Sequence, residues 1–242
     1  AGGREGRIVA VYSAKGGVGR TTIAVNLAAI AAASKSTVVV DADMPFCDVA
    51  VMLGVEPRNG LADLTGADLD IERLTAALAT HASGVKVLPG PPDPARADAI
   101  TAPTVVKVMD LLRTVADVTI IDTTCAFDDA TLAILEAADE ILLVCTPDLA
   151  AVKNTKVAQA TFKMLGIPED RIHLVINHAS NKAALGVSEI ESQLGPAEAV
   201  IPEDEQFGRA GAAGELGVVD LPRNPVTKTL SKLAERVSSG GR

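Results

Sequence analysis

The chain has no tryptophan, one tyrosine and four phenylalanines in 242 residues. So few rings argue against the aromatic platforms on which single-stranded nucleic acids stack. A basic excess is missing too: 22 Lys and Arg against 31 Asp and Glu leave a net charge of −9, with no block of Lys or Arg. A broad cationic surface for duplex nucleic acid is therefore not expected. Cysteine is scarce. Cys47, Cys125 and Cys145 stand far apart and form no Cys-x-x-Cys or Cys/His pattern. That spacing excludes a disulfide framework and a zinc site, and predicts reduced thiols in a cytoplasmic setting. Cys145 closes the apolar run ILLVC and reads as core packing. No run reaches the length of a transmembrane helix. The longest candidate, IAVNLAAIAAA, is short and interrupted by Asn26. The leading AGGREGR has no apolar signal region. Residues 1–6 read as a linker remnant of a longer protein, 7–238 as a single domain and 239–242 as a tail.

What is present is a repeated alternation. RIVAVYS is an apolar run ending in a glycine loop, and TTIAVNLAAIAAAS follows with helical composition. STVVVDAD, VKVLPG, DVTIID, EILLVCT, RIHLVIN and AEAVIPED read as further strands. Between them lie helical stretches near 60–80, 103–114, 149–165 and 225–237, with ATLAILEAA and VSEIESQLG as shorter ones. Nearly continuous Val/Ile/Leu runs mark strands buried on both faces. The expected fold is α/β: three layers, a mostly parallel sheet with helices on both faces. There is no internal repeat. Polar residues close these strands at Ser13–Arg20, Asp41 and Asp43, Asp122 and Asn177, and in open α/β sheets ligands bind at that edge.

The most informative stretch is SAKGGVGRTT, Ser13 to Thr22. A polyphosphate needs several N–H donors converging at close range. Glycines let the backbone fold into such a nest, and the helix that follows adds its positive end. Gly16, Gly17 and Gly19 supply the loop, with Val18 among them. Thr21 opens the helix, where its hydroxyl reaches a Mg²⁺ that bridges phosphates, and Thr22 follows. Asp122 closes an apolar strand, where an isolated carboxylate is costly unless something pairs with it; Mg²⁺ through a water is the natural partner. Asn177 can offer an amide donor and acceptor to the edge of a purine. Asp48 reads as a helix cap.

Together with Lys15, the loop resembles the deviant KGGxGKT loop of the ParA/MinD group of P-loop ATPases, with Arg20 in place of its second lysine. VVVDADMPFCDVAVMLGVEP, IIDTTCAFDD, VINHAS and IPED are similar to later segments of the same group. Within it, PFCDVAVMLGVEP, VLPGPPDPARAD, FDDATLAILEAADEILLVCTPDLAAVKNT and PVTKTL are similar to the ATPase domain of CpaE/TadZ pilus-assembly proteins. The resemblance covers nearly the whole chain. It implies ATP and Mg²⁺ as ligands, bound along Lys15–Thr22, with Asn177, Pro202, Glu203 and Asp204 around the adenine. It implies that Lys15 crosses into a second copy of the chain in an ATP-sandwiched homodimer and offsets charge on the partner's phosphates. It maps Asp43 onto the aspartate that orients the attacking water, and places Asp41 near the metal shell with Thr21 and Asp122. TTCA after Asp122 departs from the group's usual PPG.

Arg20 is the departure with the largest consequence. Arginine keeps the charge but is longer, planar and forked. ATP binding is expected to survive and hydrolysis to slow, because phosphoryl transfer depends on fine positioning. Asn26 is expected to tie the first helix to a neighbouring loop. Val226, Leu230, Leu233 and Val237 form one stripe on the last helix, expected as a core-docking face, with a membrane contact as the lesser reading. The leading function is an ATP-dependent switch that dimerises and recruits a protein partner at a pilus or secretion complex, at the cell pole or peripheral to the inner membrane. The alternatives are a hydrolysis-deficient ATP-bound scaffold, a DNA-partitioning ATPase (disfavoured by the acidity) and a metabolic P-loop enzyme.

Overall fold

The computed structural model describes residues 5–66 and 68–239. The leading residues 1–4 and the tail residues 240–242 lie outside the described residues. Eight strands form one sheet: β1 (Arg7–Tyr12), β2 (Thr37–Ala42), β3 (Ala79–Thr80), β4 (Lys86–Leu88), β5 (Val118–Thr123), β6 (Glu140–Cys145), β7 (Ile172–Ala179) and β8 (Ala197–Pro202). Their order is β3-β4-β2-β5-β1-β6-β7-β8, parallel throughout except for the β3/β4 pair. The helices are α1 (Arg20–Ala32), α2 (Val49–Met52), α3 (Ile71–Ala77), α4 (Pro94–Ala97), α5 (Ala102–Val115) and α6 (Asp129–Ala137). They continue as α7 (Leu149–Met164), α8 (Val187–Leu194), α9 (Glu205–Ala212), α10 (Gly217–Asp220) and α11 (Pro225–Ser239).

The period-two geometry of a strand explains why RIVAVY has no polar face. Ile8, Ala10 and Tyr12 enter a core shared with α5, α6 and α7. Val9 and Val11 enter a second core shared with α1 and α11. Both faces are therefore covered, as the continuous apolar runs predict. Three of the few aromatic rings gather below the glycine loop: Tyr12, Phe127 and Phe162 lie 5.3–6.0 Å apart, centroid to centroid.

The structure adds detail that periodicity does not carry. Gly6, placed by the sequence in the leading segment, is packed: its N–H donates to the Arg113 carbonyl at 2.8 Å, and a Cβ there would lie 1.9 Å from the Ala116 carbonyl. Leu78, expected to continue a helix, instead follows the end of α3, because β3 turns back antiparallel onto β4 through His81–Val85. The glycine-rich stretch 205–220, which suggests no element, forms α9 and α10.

The apolar stripe of α11 is consumed by packing. Val226, Leu230, Leu233 and Val237 are each at most 4% exposed and join the core with α1. This bears out the core-docking reading and leaves that face no surface for a bilayer. Among the described residues no helix is long and apolar enough to cross a membrane. Arg236 on α11 adds a polar clamp at the opposite edge from the glycine loop, with ion pairs to Glu140 at 2.7 Å and Glu198 at 3.0 Å.

Asn26 does join distant segments. Its amide donates to the Thr22 carbonyl at 2.8 Å, and its oxygen accepts from the Val218 N–H at 3.1 Å, linking α1 to α10. Both residues are buried. Asn26→Ala would strand the Val218 N–H, which costs about 1–3 kcal/mol. At about 2–4 °C per kcal/mol for a chain of this size, the melting temperature should fall by roughly 2–12 °C; an unchanged thermal melt would contradict this role.

Candidate functional site

β1 delivers the chain to the glycine loop, and α1 leaves it. Gly17 and Gly19 take φ of 74° and 89°, which side-chain-bearing residues seldom adopt, and Gly19 immediately precedes α1. A Cβ on Gly19 would approach the Asn177 amide nitrogen to 2.5 Å. Glycine is thus required there twice over, by backbone conformation and by the close approach of β7. The loop is held from outside. Asn177 donates to the Val18 carbonyl at 2.7 Å, and Asn154 donates to the Ala14 carbonyl at 3.3 Å.

The loop forms the floor of a cavity of about 610 Å³. Of the expected residues, Gly16, Gly17, Gly19, Arg20, Thr21 and Thr22 line its polar end. Asp43, Asn177, Pro202 and Asp204 line it as well. Lys15, Val18, Asp41, Asp122 and Glu203 do not. Val18 is buried below the loop and Glu203 is exposed. Asp204 caps α9 by accepting the Phe207 N–H at 2.8 Å, a bond that holds its carboxyl below the ordinary range.

Two orphaned buried atoms stand at the polar end. Arg20 is buried; its Nη2 donates to Asp43 at 3.0 Å, and its Nη1 has no partner among the described residues. Asp122 is fully buried; its Oδ2 accepts the Thr21 hydroxyl at 2.6 Å, and its Oδ1 has no partner among the described residues. Burial pushes the Asp122 carboxyl up to about 7, against the Thr21 bond and the Arg20 charge. A buried cationic donor and a buried carboxylate oxygen, both unsatisfied, suit an anion and a cation respectively. Thr21 and Asp122, both expected at the metal, are brought together.

Asp41, expected near the metal shell, is engaged by the backbone. Its two oxygens accept the Val49 N–H at 2.9 Å and the Asp43 N–H at 3.3 Å, so it anchors the start of α2 and the chain before it. Burial first, with the Asp122 charge adding, pushes it up to about 7. The cap expected of Asp48 is not made. Asp48 has helical φ and ψ of −86° and −12°, whereas a capping side chain folds back from an extended residue.

Lys15 lies outside the cavity and pairs with Asp148, Nζ to Oδ2 at 2.8 Å. Asp148 also accepts the Thr146 hydroxyl and the Ala151 N–H, and is held at about 2: these bonds outweigh the burial that would raise it. An Asp before an apolar helical run is legible as a cap, but its bond to a residue 133 positions away is not. Sequence reasoning also missed Phe46, Thr124, Cys125, His178 and Phe207, which line the cavity. Among the described residues, Cys47 and His178 are the non-glycines with positive φ, at 55° and 56°. One follows Asp43 closely and the other follows Asn177 directly. Strained backbone of this kind collects at ligand sites.

A strand–glycine loop–helix unit at the centre of a parallel sheet, with a threonine bonded to a strand-end aspartate, defines a P-loop nucleotide-binding fold. The chain belongs to the ParA family: that family's model, described as NUBPL iron-transfer P-loop NTPase, matches residues 5–238. An uncharacterized ATP-binding protein of Methanocaldococcus jannaschii is 29% identical over 95% of this chain and 86% of its own length. A ParA family ATPase from Chlorobium tepidum has a similar structure, with a TM-score of 0.88 and 25% identity over 97% of this chain and all of that one. The cell division ATPase MinD of Pyrococcus furiosus aligns with a TM-score of 0.84 and 26% identity over 97% and 99%.

Proposed function

We propose that the protein is an ATP-dependent dimerising switch. ATP enters the 610 Å³ cavity with its phosphates on the glycine loop and its base beside Asn177 and Pro202. The observation that carries this reading is the pair of orphaned buried atoms, Arg20 Nη1 and Asp122 Oδ1, at the loop. Among the described residues, Arg20 is the only Lys or Arg that lines this cavity, where Asp43, Asp48 and Asp204 also stand, with Asp122 beneath. A polyphosphate approaching so many acids needs a divalent cation. Thr21, and Asp122 through water, would hold Mg²⁺, which neutralises charge on the phosphate oxygens when bound. Asp43 is the candidate to orient the attacking water.

Lys15 is the candidate for a residue acting in a second copy of the chain. Its present partner, Asp148, is one-third exposed, as is Lys15 itself, and so screened a pair exchanges readily for a phosphate. The names of the relatives, ATP-binding protein and ATPase, support ATP as the nucleotide. The resemblance to CpaE/TadZ proteins supports a partner at a pilus or secretion apparatus. A second reading, a long-lived ATP-bound scaffold, is favoured by Arg20 itself, whose planar fork stands where a compact lysine charge would meet the phosphates.

Sedimentation with and without ATP and Mg²⁺ tests both. We expect a monomer without nucleotide and a dimer with ATP, with Lys15→Ala weakening the dimer about tenfold or more, the worth of a lost charge-assisted contact. Dimers that decay within minutes mark the switch, and dimers that persist for hours mark the scaffold. A profile indifferent to ATP would refute the proposal.

A further inference from the structure

The Arg20–Asp43 contact links the floor of the phosphate loop to the segment that follows β2. It is an ion pair of 3.0 Å between side chains 9% and 12% exposed. Only half of the guanidinium fork is engaged, since Nη1 has no partner. A forked cation that grips one carboxylate at the bottom of a phosphate cradle is already bound to an anion of its own chain. Phosphate and carboxylate present the same acceptor geometry to arginine, and a terminal phosphate offers more oxygens and more charge.

Asp43 is also the anchor of a tight turn. Its carbonyl accepts the N–H groups of Phe46 at 2.9 Å and Cys47 at 3.0 Å. The turn closes with Cys47 in the left-handed region, and it displays Phe46 at 77% exposure on the rim of the cavity. The residue whose side chain pairs with Arg20, and with Thr124 beside it, is therefore also the one whose main chain holds a strained turn that carries an exposed ring.

We propose that Asp43 acts as an internal stand-in for phosphate. It holds Arg20 in the nucleotide-free protein, and a bound terminal phosphate takes Arg20 from it, releasing the 43–47 turn and moving Phe46. Arg20 then both binds the nucleotide and reports its presence to the surface, and Asp43 is unavailable to orient water until a phosphate has replaced it. This deepens the reading of the cavity as an ATP site and rests on it.

The chain has no tryptophan, so Phe46→Trp gives a single fluorescent reporter on an exposed side chain. In that background, a hydrolysis-resistant ATP analogue with Mg²⁺ should change the emission. Asp43→Asn and Arg20→Ala, each without nucleotide, should move it towards the nucleotide-bound spectrum. Dissociation constants for the analogue complete a double-mutant cycle. Asp43→Asn should tighten binding about tenfold when Arg20 is present, the worth of one charge-assisted bond no longer competing, and at most about twofold in Arg20→Ala. Circular dichroism confirms that each variant is folded. Equal tightening with and without Arg20 would reduce Asp43 to plain charge repulsion and overturn the proposal, as would nucleotide-free variants with the wild-type spectrum. Should the reporter protein fail to bind the analogue at all, the ATP-site reading falls with it. Binding with an additive cycle removes this inference alone.

Discussion

Asp122→Asn should make the metal-free protein more stable and the ATPase less active. The carboxylate is fully buried, one oxygen has no partner, and burial pushes it up to about 7 from 3.8. Keeping it ionised at pH 8 in the fold, rather than in the unfolded chain, costs on the order of 4 kcal/mol, each tenfold in the ionisation equilibrium being about 1.4 kcal/mol. Asparagine has the same shape and no charge. Its amide still finds Thr21, but one donor remains without an acceptor, which returns about 1–3 kcal/mol of that gain. A net stabilisation of about 2 kcal/mol raises the melting temperature by roughly 4–8 °C. The amide replaces a carboxylate that would grip metal-bound water, and losses at such outer-shell positions are about 10–100-fold in metal affinity or activity. A lower melting temperature together with unchanged Mg²⁺-dependent turnover would show that Asp122 serves the fold alone. The two signs taken together separate a stored functional cost from ordinary core packing.

The central strands were legible because burial on both faces leaves no room for a polar residue. VVV and ILLVC carry that constraint openly, and polar residues at or after the ends of β1, β2, β5 and β7 mark the edge where ligands bind. The glycine loop was legible for the same kind of reason: positive φ at Gly17 and Gly19 demands a residue type that the sequence displays. What escaped were properties that arise only when distant segments meet. Asp41 and Asp43 look equivalent in DAD, yet they have opposite tasks, because α2 folds back to offer Val49 N–H to the first while Arg20 reaches only the second. Nothing around Lys15 in the sequence points to Asp148, which arrives beside it from the start of α7. β3 is two residues long, too short for any period to register, and depends on β4 as a template. In α9, Gly208 and Gly211 hide a helix from propensity; Phe207 and Ala210, both buried, supply the packing that overrides it.

The same buried carboxylates set a pH dependence that a well-solvated surface would not have. Asp41 and Asp122 are register partners on adjacent strands, and both are pushed up to about 7. In the unfolded chain they titrate near 3.9. Between about pH 4 and 7 the folded protein therefore binds more protons than the unfolded one, and stability falls as pH rises. The stabilisation is complete below pH 4 and is lost through pH 7. The two groups act on each other, so the loss spreads over one broad transition. His173 works in the opposite sense, since burial and Arg236 lower it from 6.5, but its effect is confined below that value. Asp63, Asp148 and Asp204, all lowered, act only at the acid end. Asp43 is raised as well, by burial first and against the Arg20 charge, and acts in the same sense, so the fall in stability towards pH 8 belongs to the buried carboxylates Asp41, Asp43 and Asp122 together. In EDTA, the melting temperature should drop from pH 6.5 to 8, and Asp122→Asn should make the drop smaller. Mg²⁺ with ADP should flatten it, because a cation beside the pair favours the ionised form that burial penalises. A melting temperature that rises from pH 6.5 to 8 in EDTA would mean that burial does not penalise the ionised forms of these carboxylates, and that the acids at and beneath the polar end of the cavity have no need of a metal ion.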